Sequence, residues 1–250
     1  MLRISIGAVI FVVTLASGIY ILTPKDRVVS LVIPHHDMEA SVREAFLQEI
    51  KHKVSPTTHI LISPDHFNGA HHPLVTTDRI WDTKDGIILP CVDLIKGSGI
   101  PLNDAAFNGE HGIGNVIGPL KRAFPESTIV PILAKRSATY GEMNSLVTRL
   151  NELCPECLLV ASVDFSHVKN TNEARSHDEV TLRVLHDVDS VDAYKHAHAD
   201  SPEALVALIE WARLHGAESF TLYEHTNSGE LTHTEEGEIT THIFGAFTTK

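Results

Sequence analysis

Histidine close to a carboxylate is the recurrent chemical feature of this sequence, in which 17 of 250 residues are histidine. The segments that carry it are Pro34-His35-His36-Asp37, Ser63-Pro64-Asp65-His66, Glu110-His111 and Asp164-Phe165-Ser166-His167. Imidazole is the commonest protein ligand for metals, and histidine is the side chain that titrates near neutral pH. These residue types therefore favour two kinds of chemistry, the binding of a metal ion and the transfer of protons.

Three of these segments directly follow apolar runs that have the length of buried strands. The runs cover residues 28–33, 58–62 and 158–163. In open α/β sheets, ligands bind outside the carboxyl ends of the strands. Three strand ends that bring histidine to one rim of a sheet predict a metal site there, because structural histidines have no reason to share a rim.

The rest of the chain alternates predicted helices and strands. Helices are predicted over residues 38–53, 115–124, 140–153, 173–188 and 202–215, and further strands over 128–133, 219–225 and 238–247. Continuous apolar strands separated by helices are typical of a parallel sheet that is covered on both faces. We therefore predict an α/β fold with a largely parallel central sheet and helices on both faces. Residues 28–250 are expected to form one metal-binding domain.

Several residues near these segments also have purely structural explanations. Asp37 is favoured as the N-cap of the next helix. Asp65 and Asp164 could each hold a turn through hydrogen bonds to the backbone. Asp200 precedes a Ser-Pro-Glu helix start and could serve only as a cap. For His111 the alternative is a core histidine.

The N-terminal segment is of a different kind. Residues 4–22 carry no charged side chain. As a helix they would span about 28 Å, close to the hydrocarbon thickness of a bilayer. We expect residues 1–27 to be a membrane anchor, a hydrophobic transmembrane helix with a short linker, that leaves the domain outside the cytoplasm. The alternative is a signal peptide, whose cleavage would make the protein secreted.

Charge and cysteine content bear on partners and on the second candidate metal motif. The formal net charge is -12, and Lys and Arg are not clustered, so nucleic-acid binding is not expected. No protein partner is indicated. Cys154 and Cys157 form a single C-x-x-C pair, whereas a zinc site needs further ligands. We interpret the pair as a turn whose cysteines are either ordinary or disulfide-linked.

Five segments, in consistent order over residues 28–248, resemble the Memo family, also labelled AmmeMemoRadiSam system protein B. They are Pro34-His35, Ser63-Pro64-Asp65-His66-Phe67, Glu110-His111-Gly112, Val163-Asp164-Phe165-Ser166-His167 and Thr226-Asn227-Ser228-Gly229-Glu230. The Asp-Phe-x-His segment is the most specific of these. Relatives of the family in fold are the class III extradiol ring-cleaving dioxygenases, so the resemblance implies a similar fold for this chain.

By this resemblance, His35, His66 and Asp200 are the metal ligands, and His36 is an alternative ligand. The family has a cysteine ligand, in a Cys-Gly context, before a late helix. The matching stretch of this chain is Asp200-Ser201-Pro202, so a carboxylate stands in place of the thiolate.

The remaining candidates are catalytic. His167 and Asp164 are expected to act as an acid–base pair beside the metal, with Asp164 fixing the tautomer of His167. His111 is a third candidate.

Two histidines and one carboxylate leave open positions on a metal, as in non-haem Fe(II) oxygenases. The resemblance thus implies a metal-dependent oxygenase or redox enzyme that acts on a small aromatic substrate. The expected metal is Fe(II), with Zn(II) or copper as alternatives. A metal-binding or partner-binding protein without the ring-cleaving reaction is the second hypothesis, and zinc-dependent hydrolysis is the third.

Overall fold

The computed structural model describes residues 12–15, 18–21 and 27–249. Its strands are β1 (Val12–Leu15), β2 (Gly18–Ile21), β3 (Arg27–Ile33), β4 (Thr58–Pro64), β5 (Leu74–Thr76), β6 (Trp81–Thr83), β7 (Gly86–Ile88), β8 (Thr128–Ala134), β9 (Leu158–Ser162), β10 (His167–Asn170), β11 (Ser219–Asn227) and β12 (Glu236–Thr249). Its α-helices are α1 (Ala40–Ile50), α2 (Val92–Ser98), α3 (His111–Ala123), α4 (Tyr140–Leu153), α5 (Thr171–His186), α6 (Ser190–His196), α7 (Pro202–Leu214) and α8 (Ser228–Thr232).

The main sheet has the strand order β10-β12-β3-β9-β4-β8-β5, and β11 also pairs with β12. The four central strands β3, β9, β4 and β8 are parallel. The pairings at both margins are antiparallel. The predicted α/β fold with a parallel central sheet is therefore confirmed, with antiparallel margins added. Because the four central strands run in one direction, their carboxyl ends lie at one rim.

Helices cover the sheet on both faces. Side chains of a strand point alternately to opposite faces, so Val32 of β3 enters one apolar core and its neighbours Leu31 and Ile33 enter the other. The first core contains residues of α2, α4, α5, α6 and α7, and the second contains residues of α1 and α3. Since every central strand is packed between two layers, the loops at the rim start from fixed positions.

The expectation of a transmembrane helix over residues 4–22 is wrong for the part of the segment that the structure describes. There β1 and β2 pair as antiparallel strands. Among the described residues, none of the helices has the length and apolarity that crossing a membrane requires. The predicted membrane anchor and the localisation that depended on it are therefore withdrawn. Residues 1–11, 16–17 and 22–26, where the rest of the segment falls, lie outside the described residues.

The helix predicted over residues 115–124 begins earlier, at His111. Gly112 and Gly114 have low helix propensity, and this is why the pattern predicted a later start. Two features outweigh that propensity. The Glu110 side chain accepts a hydrogen bond from the Gly112 N–H as the N-cap, and Ile113 is among the residues of α3 that are buried against the sheet.

Short elements were also missed, because a run of four to seven residues carries too little periodicity. They include β10, α6 and α8. Strand β10 matters most for the site, since its pairing with β12 brings His167 opposite Thr240. The turn between α4 and β9 contains a disulfide between Cys154 and Cys157, which was one of the two alternatives for this pair.

Candidate metal centre

Two histidines and two aspartates meet at the carboxyl rim of the parallel strands. His35 follows β3, His66 follows β4, Asp164 follows β9, and Asp200 precedes α7. His35 Nε2 lies 3.2 Å from Asp200 Oδ2 and 3.4 Å from Asp164 Oδ2, and His66 Nε2 lies 3.6 Å from the same Asp200 Oδ2. These side chains form one wall of a cavity of about 450 Å³.

His35 is buried and its ring is held from the other edge. Its Nδ1 lies 3.1 Å from the Ser162 hydroxyl, which donates a hydrogen bond of 2.6 Å to the Gly112 carbonyl. The backbone N–H of His35 donates to Asp164 Oδ1 at 2.9 Å. Only Nε2 of this ring is therefore directed at the carboxylates of the cavity wall.

The loop that carries His35 is fixed by side chains from two helices. Arg43 of α1 is buried and donates to the Pro34 carbonyl at 2.6 Å. Asn115 of α3 donates to the His35 carbonyl at 2.9 Å and to Asp37 Oδ1 at 2.8 Å. Backbone groups on both sides of His35 are thus satisfied by side chains, and the loop position is set by α1 and α3.

His66 is held by a carboxylate. Glu110 Oε1 lies 2.6 Å from His66 Nδ1, and Glu110 Oε2 accepts the backbone N–H of His66 at 3.0 Å. The Glu110 side chain is fully buried, and it is also the N-cap of α3. A carboxylate behind an imidazole fixes the ring orientation and raises the basicity of the free nitrogen, as is usual for metal-ligating histidines.

Asp200 does not cap the helix that follows it. The N-cap of α7 is Ser201, whose hydroxyl accepts the Ala204 N–H at 3.2 Å, so the interpretation of Asp200 as that cap is wrong. Asp200 Oδ2 accepts the Asp164 N–H at 3.2 Å. Asp200 Oδ1 is buried and has no hydrogen-bond partner among the described residues. A buried carboxylate oxygen without a partner is costly and suggests that something else neutralises it.

The close charges shift the protonation of both histidines. Burial lowers the pKa of His66, but its contacts with Asp200 and Glu110 outweigh burial and raise the pKa to about 9. Burial likewise opposes protonation of His35, whose pKa is nevertheless raised by the Asp200 contact and the charge of Asp164. Burial raises the pKa of Asp200, but His35 and His66 lower it overall. The carboxylates therefore favour a positive charge at the two imidazoles.

The three other candidate histidines lie around this wall. His111 is 44% exposed in its side chain, so it is not a core histidine, and its ring centroid lies 4.0 Å from that of His66. Burial and the charges of His66 and His35 lower the pKa of His111. His36 uses Nδ1 to accept the Met38 N–H at 3.3 Å. That bond makes His36, and not Asp37, the cap at this position, so the favoured interpretation of Asp37 is wrong.

The expected pairing of His167 with Asp164 is not formed among the described residues. His167 is exposed at the cavity wall, and its Nδ1 lies 3.3 Å from the Thr240 hydroxyl. Asp164 instead accepts the backbone N–H groups of His35 and His36. Asp65 holds a turn, as one alternative had it, through bonds from the N–H groups of residues 69 and 70.

The donor set fits a divalent metal ion. Within the described part of the chain, two groups of three side chains each bring one ligand atom per residue within 4.8 Å of the others. These are His35, His66 and His111, and His35, Asp164 and Asp200. Imidazole and carboxylate together suit Fe(II), Mn(II) and Zn(II). The partnerless Asp200 Oδ1 and the two converging Nε2 atoms are the features that a cation would satisfy.

Sequence reasoning did not assign roles to Glu110, Ser162 and Gly112. Ser162 is the only polar residue in the last strand before Asp164, and Glu110 directly precedes a histidine, so each carried a weak local signal. Gly112 is required by close packing, because a Cβ at this position would overlap the Ser63 hydroxyl and lie 3.2 Å from His66 Cε1. No pattern in the sequence predicts that contact.

Comparison with known sequences finds relatives that all belong to one family. A family model described as Memo-like protein matches residues 14–241. A MEMO1 family protein of Methanosarcina acetivorans is 26% identical over 186 residues, which cover 70% of this chain and 69% of the relative. A MEMO1 family protein of Caldivirga maquilingensis is 22% identical over 223 residues, which cover 82% of this chain and 78% of the relative.

Comparison with solved structures supports the fold. The crystal structure of an uncharacterized protein from Escherichia coli K12 matches with a TM-score of 0.56 and 15% sequence identity. The match covers 88% of this chain and 99% of the other. At this level of identity the two chains share a fold, and the likeness says nothing about a common reaction.

Proposed function

This chain belongs to the Memo-like protein family, and on that premise we propose that residues 28–250 are one domain that binds a single divalent metal ion. The ligands are His35 Nε2, His66 Nε2 and the carboxylate of Asp200, and the metal is Fe(II). The observation that carries this proposal is the convergence of two imidazoles on one oxygen of Asp200, whose other buried oxygen has no partner.

The finer proposal is an oxygenase or redox reaction on a small aromatic substrate. Bound Fe(II) with two imidazoles and one carboxylate would supply open positions for O₂ and a chelating substrate. The cavity of about 450 Å³ borders the ligands on one side and has room for a small molecule. It is also lined by His111 and His167, which are exposed and can accept or return a proton at the substrate.

Metal content tests the first part. Protein purified anaerobically and loaded with Fe(II) is expected to hold one ion per chain by elemental analysis. His35→Ala and Asp200→Ala should each abolish stoichiometric binding while the far-UV circular dichroism stays unchanged. His71→Ala, at an exposed histidine away from the cavity, is the matched control and should retain the ion. Full occupancy in both ligand variants would show that these residues do not bind the metal.

Oxygen consumption tests the second part. Fe(II)-loaded protein with a panel of catechols should consume O₂, and His167→Ala should consume it more slowly while keeping its metal. If the loaded protein holds Fe(II) but consumes no O₂ with any member of the panel, the oxygenase proposal fails and the metal-binding proposal stands.

A further inference from the structure

The two proposed metal-ligand histidines are held by the same short stretch of chain, the start of α3. The Glu110 side chain contacts His66 Nδ1, and the Gly112 carbonyl accepts the hydroxyl that contacts His35 Nδ1. Residues 110–112 thus reach both imidazoles from the edge that faces away from the cavity.

The direction of the hydrogen bonds at Ser162 follows from its chemistry. A hydroxyl has one proton and two lone pairs. The Gly112 carbonyl can only accept, and it lies 2.6 Å from Ser162 Oγ, so the hydroxyl proton must lie between these two oxygens. The Ser162 oxygen is then left as an acceptor, and the only hydrogen that can fill its 3.1 Å contact with His35 is one carried by Nδ1.

We infer that Ser162 is a positioning residue that fixes the proton of His35 on Nδ1 and thereby commits Nε2 to the metal. This inference rests on the proposed metal site and adds to it the residue that selects the binding nitrogen. Ser162 acts through His35 and does not itself face the cavity wall. Its side chain and the His35 ring are both buried, out of contact with bulk water.

The arrangement depends on glycine at position 112. A side chain there would push α3 away from Ser63 and His66, and the carbonyl that orients Ser162 would move with the helix. The start of α3 therefore holds both histidines in place. The Glu110 cap and the close packing of Gly112 fix this part of the helix, although it contains two glycines.

The first test reads the nitrogen directly. In wild-type protein loaded with Zn(II) and labelled with ¹⁵N, the histidine two-bond ¹H–¹⁵N spectrum is expected to show His35 with zinc at Nε2 and hydrogen at Nδ1. Zinc at Nδ1 of His35 would overturn the inference while leaving the metal site intact. This measurement needs no variant, so it remains decisive if a substitution at Ser162 prevents folding.

The second test measures affinity. Ser162→Ala is expected to weaken Zn(II) binding by roughly 10–100-fold in a chelator competition, the effect of losing a partner behind a metal ligand. Ser30→Ala is the matched control, because it also removes a buried strand hydroxyl bonded to a carbonyl, that of Leu208, and it should bind zinc normally. Equal affinity of Ser162→Ala and wild type overturns the inference alone, whereas a wild type that binds neither Zn(II) nor Fe(II) overturns the proposed function and this inference with it.

Discussion

Strand β4 has a histidine near each end, and the two differ in burial and in their hydrogen-bond partners. His59 lies near the amino end, is fully buried, and packs its ring 4.9 Å from that of Phe124. Neither of its ring nitrogens has a hydrogen-bond partner among the described residues. His66, just beyond the carboxyl end, contacts Glu110 and Asp200.

The surroundings give these histidines different charges at neutral pH. Burial alone lowers the pKa of His59 to about 3, so this residue is neutral in the folded protein. For His66 the two carboxylates outweigh burial and raise the pKa to about 9. A histidine is therefore a neutral core residue at one end of the strand, where it is buried without polar partners, and a cation-accepting residue at the other end, where carboxylates surround it.

The largest expected effect is the loss of Fe(II) affinity when His66, at the carboxyl end of β4, is replaced. His66→Ala should reduce Fe(II) affinity by more than about 100-fold, because loss of a ligand should exceed the loss of a residue that only orients one. His59→Leu should leave the affinity unchanged. Anaerobic titration against a chelator measures both, and a comparable loss in the two variants would mean that the contrast in surroundings does not report on metal binding.

Asp200 and Ser201 are adjacent and show a similar contrast, here between a proposed metal ligand and a helix cap. Asp200→Asn retains size but removes the anionic ligand, so Fe(II) affinity should fall by about 100-fold with near-normal stability. Asp200→Cys should raise affinity for Cu(I) relative to Fe(II), because thiolate is a softer ligand. Ser201→Ala should leave metal affinity unchanged. The lost N-cap should instead lower the free energy of unfolding by about 1 kcal/mol. Metal titration and urea unfolding of these variants separate the two roles.

The pH dependence of metal binding sharpens the comparison at His66. A metal must displace the proton that this residue holds below its pKa of about 9, and also any proton on His35, whose pKa is raised too, so apparent affinity should rise by at least roughly tenfold per pH unit up to that value. Glu110→Gln removes one carboxylate and should flatten the rise. Chelator competition at pH 6.5, 7.5 and 8.5 measures it, and a flat wild-type profile would contradict a protonated His66.

The smallest expected effect is on the stability of the folded protein, through His59 at the amino end of β4. The folded-state pKa of His59, about 3, is below the ordinary value of 6.5, so between these values the unfolded chain binds the extra proton. The contribution of neutral His59 is present above pH 6.5 and is lost as the pH falls, by up to about 1.4 kcal/mol per unit. Urea unfolding from pH 7 to pH 5 should show a shallower decline in His59→Leu than in wild type. Parallel declines would mean that His59 is not buried as a neutral side chain.

Much of the architecture could be predicted because its signals are local. Residues 28–33, 58–62, 128–133 and 158–163 read as apolar strands, and all four are the parallel centre of the sheet. The weaker predictions failed where local signals conflict with packing. The start of α3 was placed late because glycines hide it, and residues 4–22 were read as a helix from apolarity and length alone, which do not exclude the paired strands that the structure describes there.

The sequence by itself determined that His35, His66 and Asp164 follow parallel strands, because strand composition and direction bring their carboxyl ends to one rim. Only the tertiary structure decided how the cluster is completed, since Asp200 was expected there from the family resemblance alone and Glu110 was given no role. Glu110 and Asp200 come from distant parts of the chain, and their contacts with the two histidines depend on how α3 and α7 pack against the sheet. Hydrogen bonds and ion contacts act over about 3 Å, so such pairings are fixed by helix packing and leave no spacing in the sequence from which to predict them.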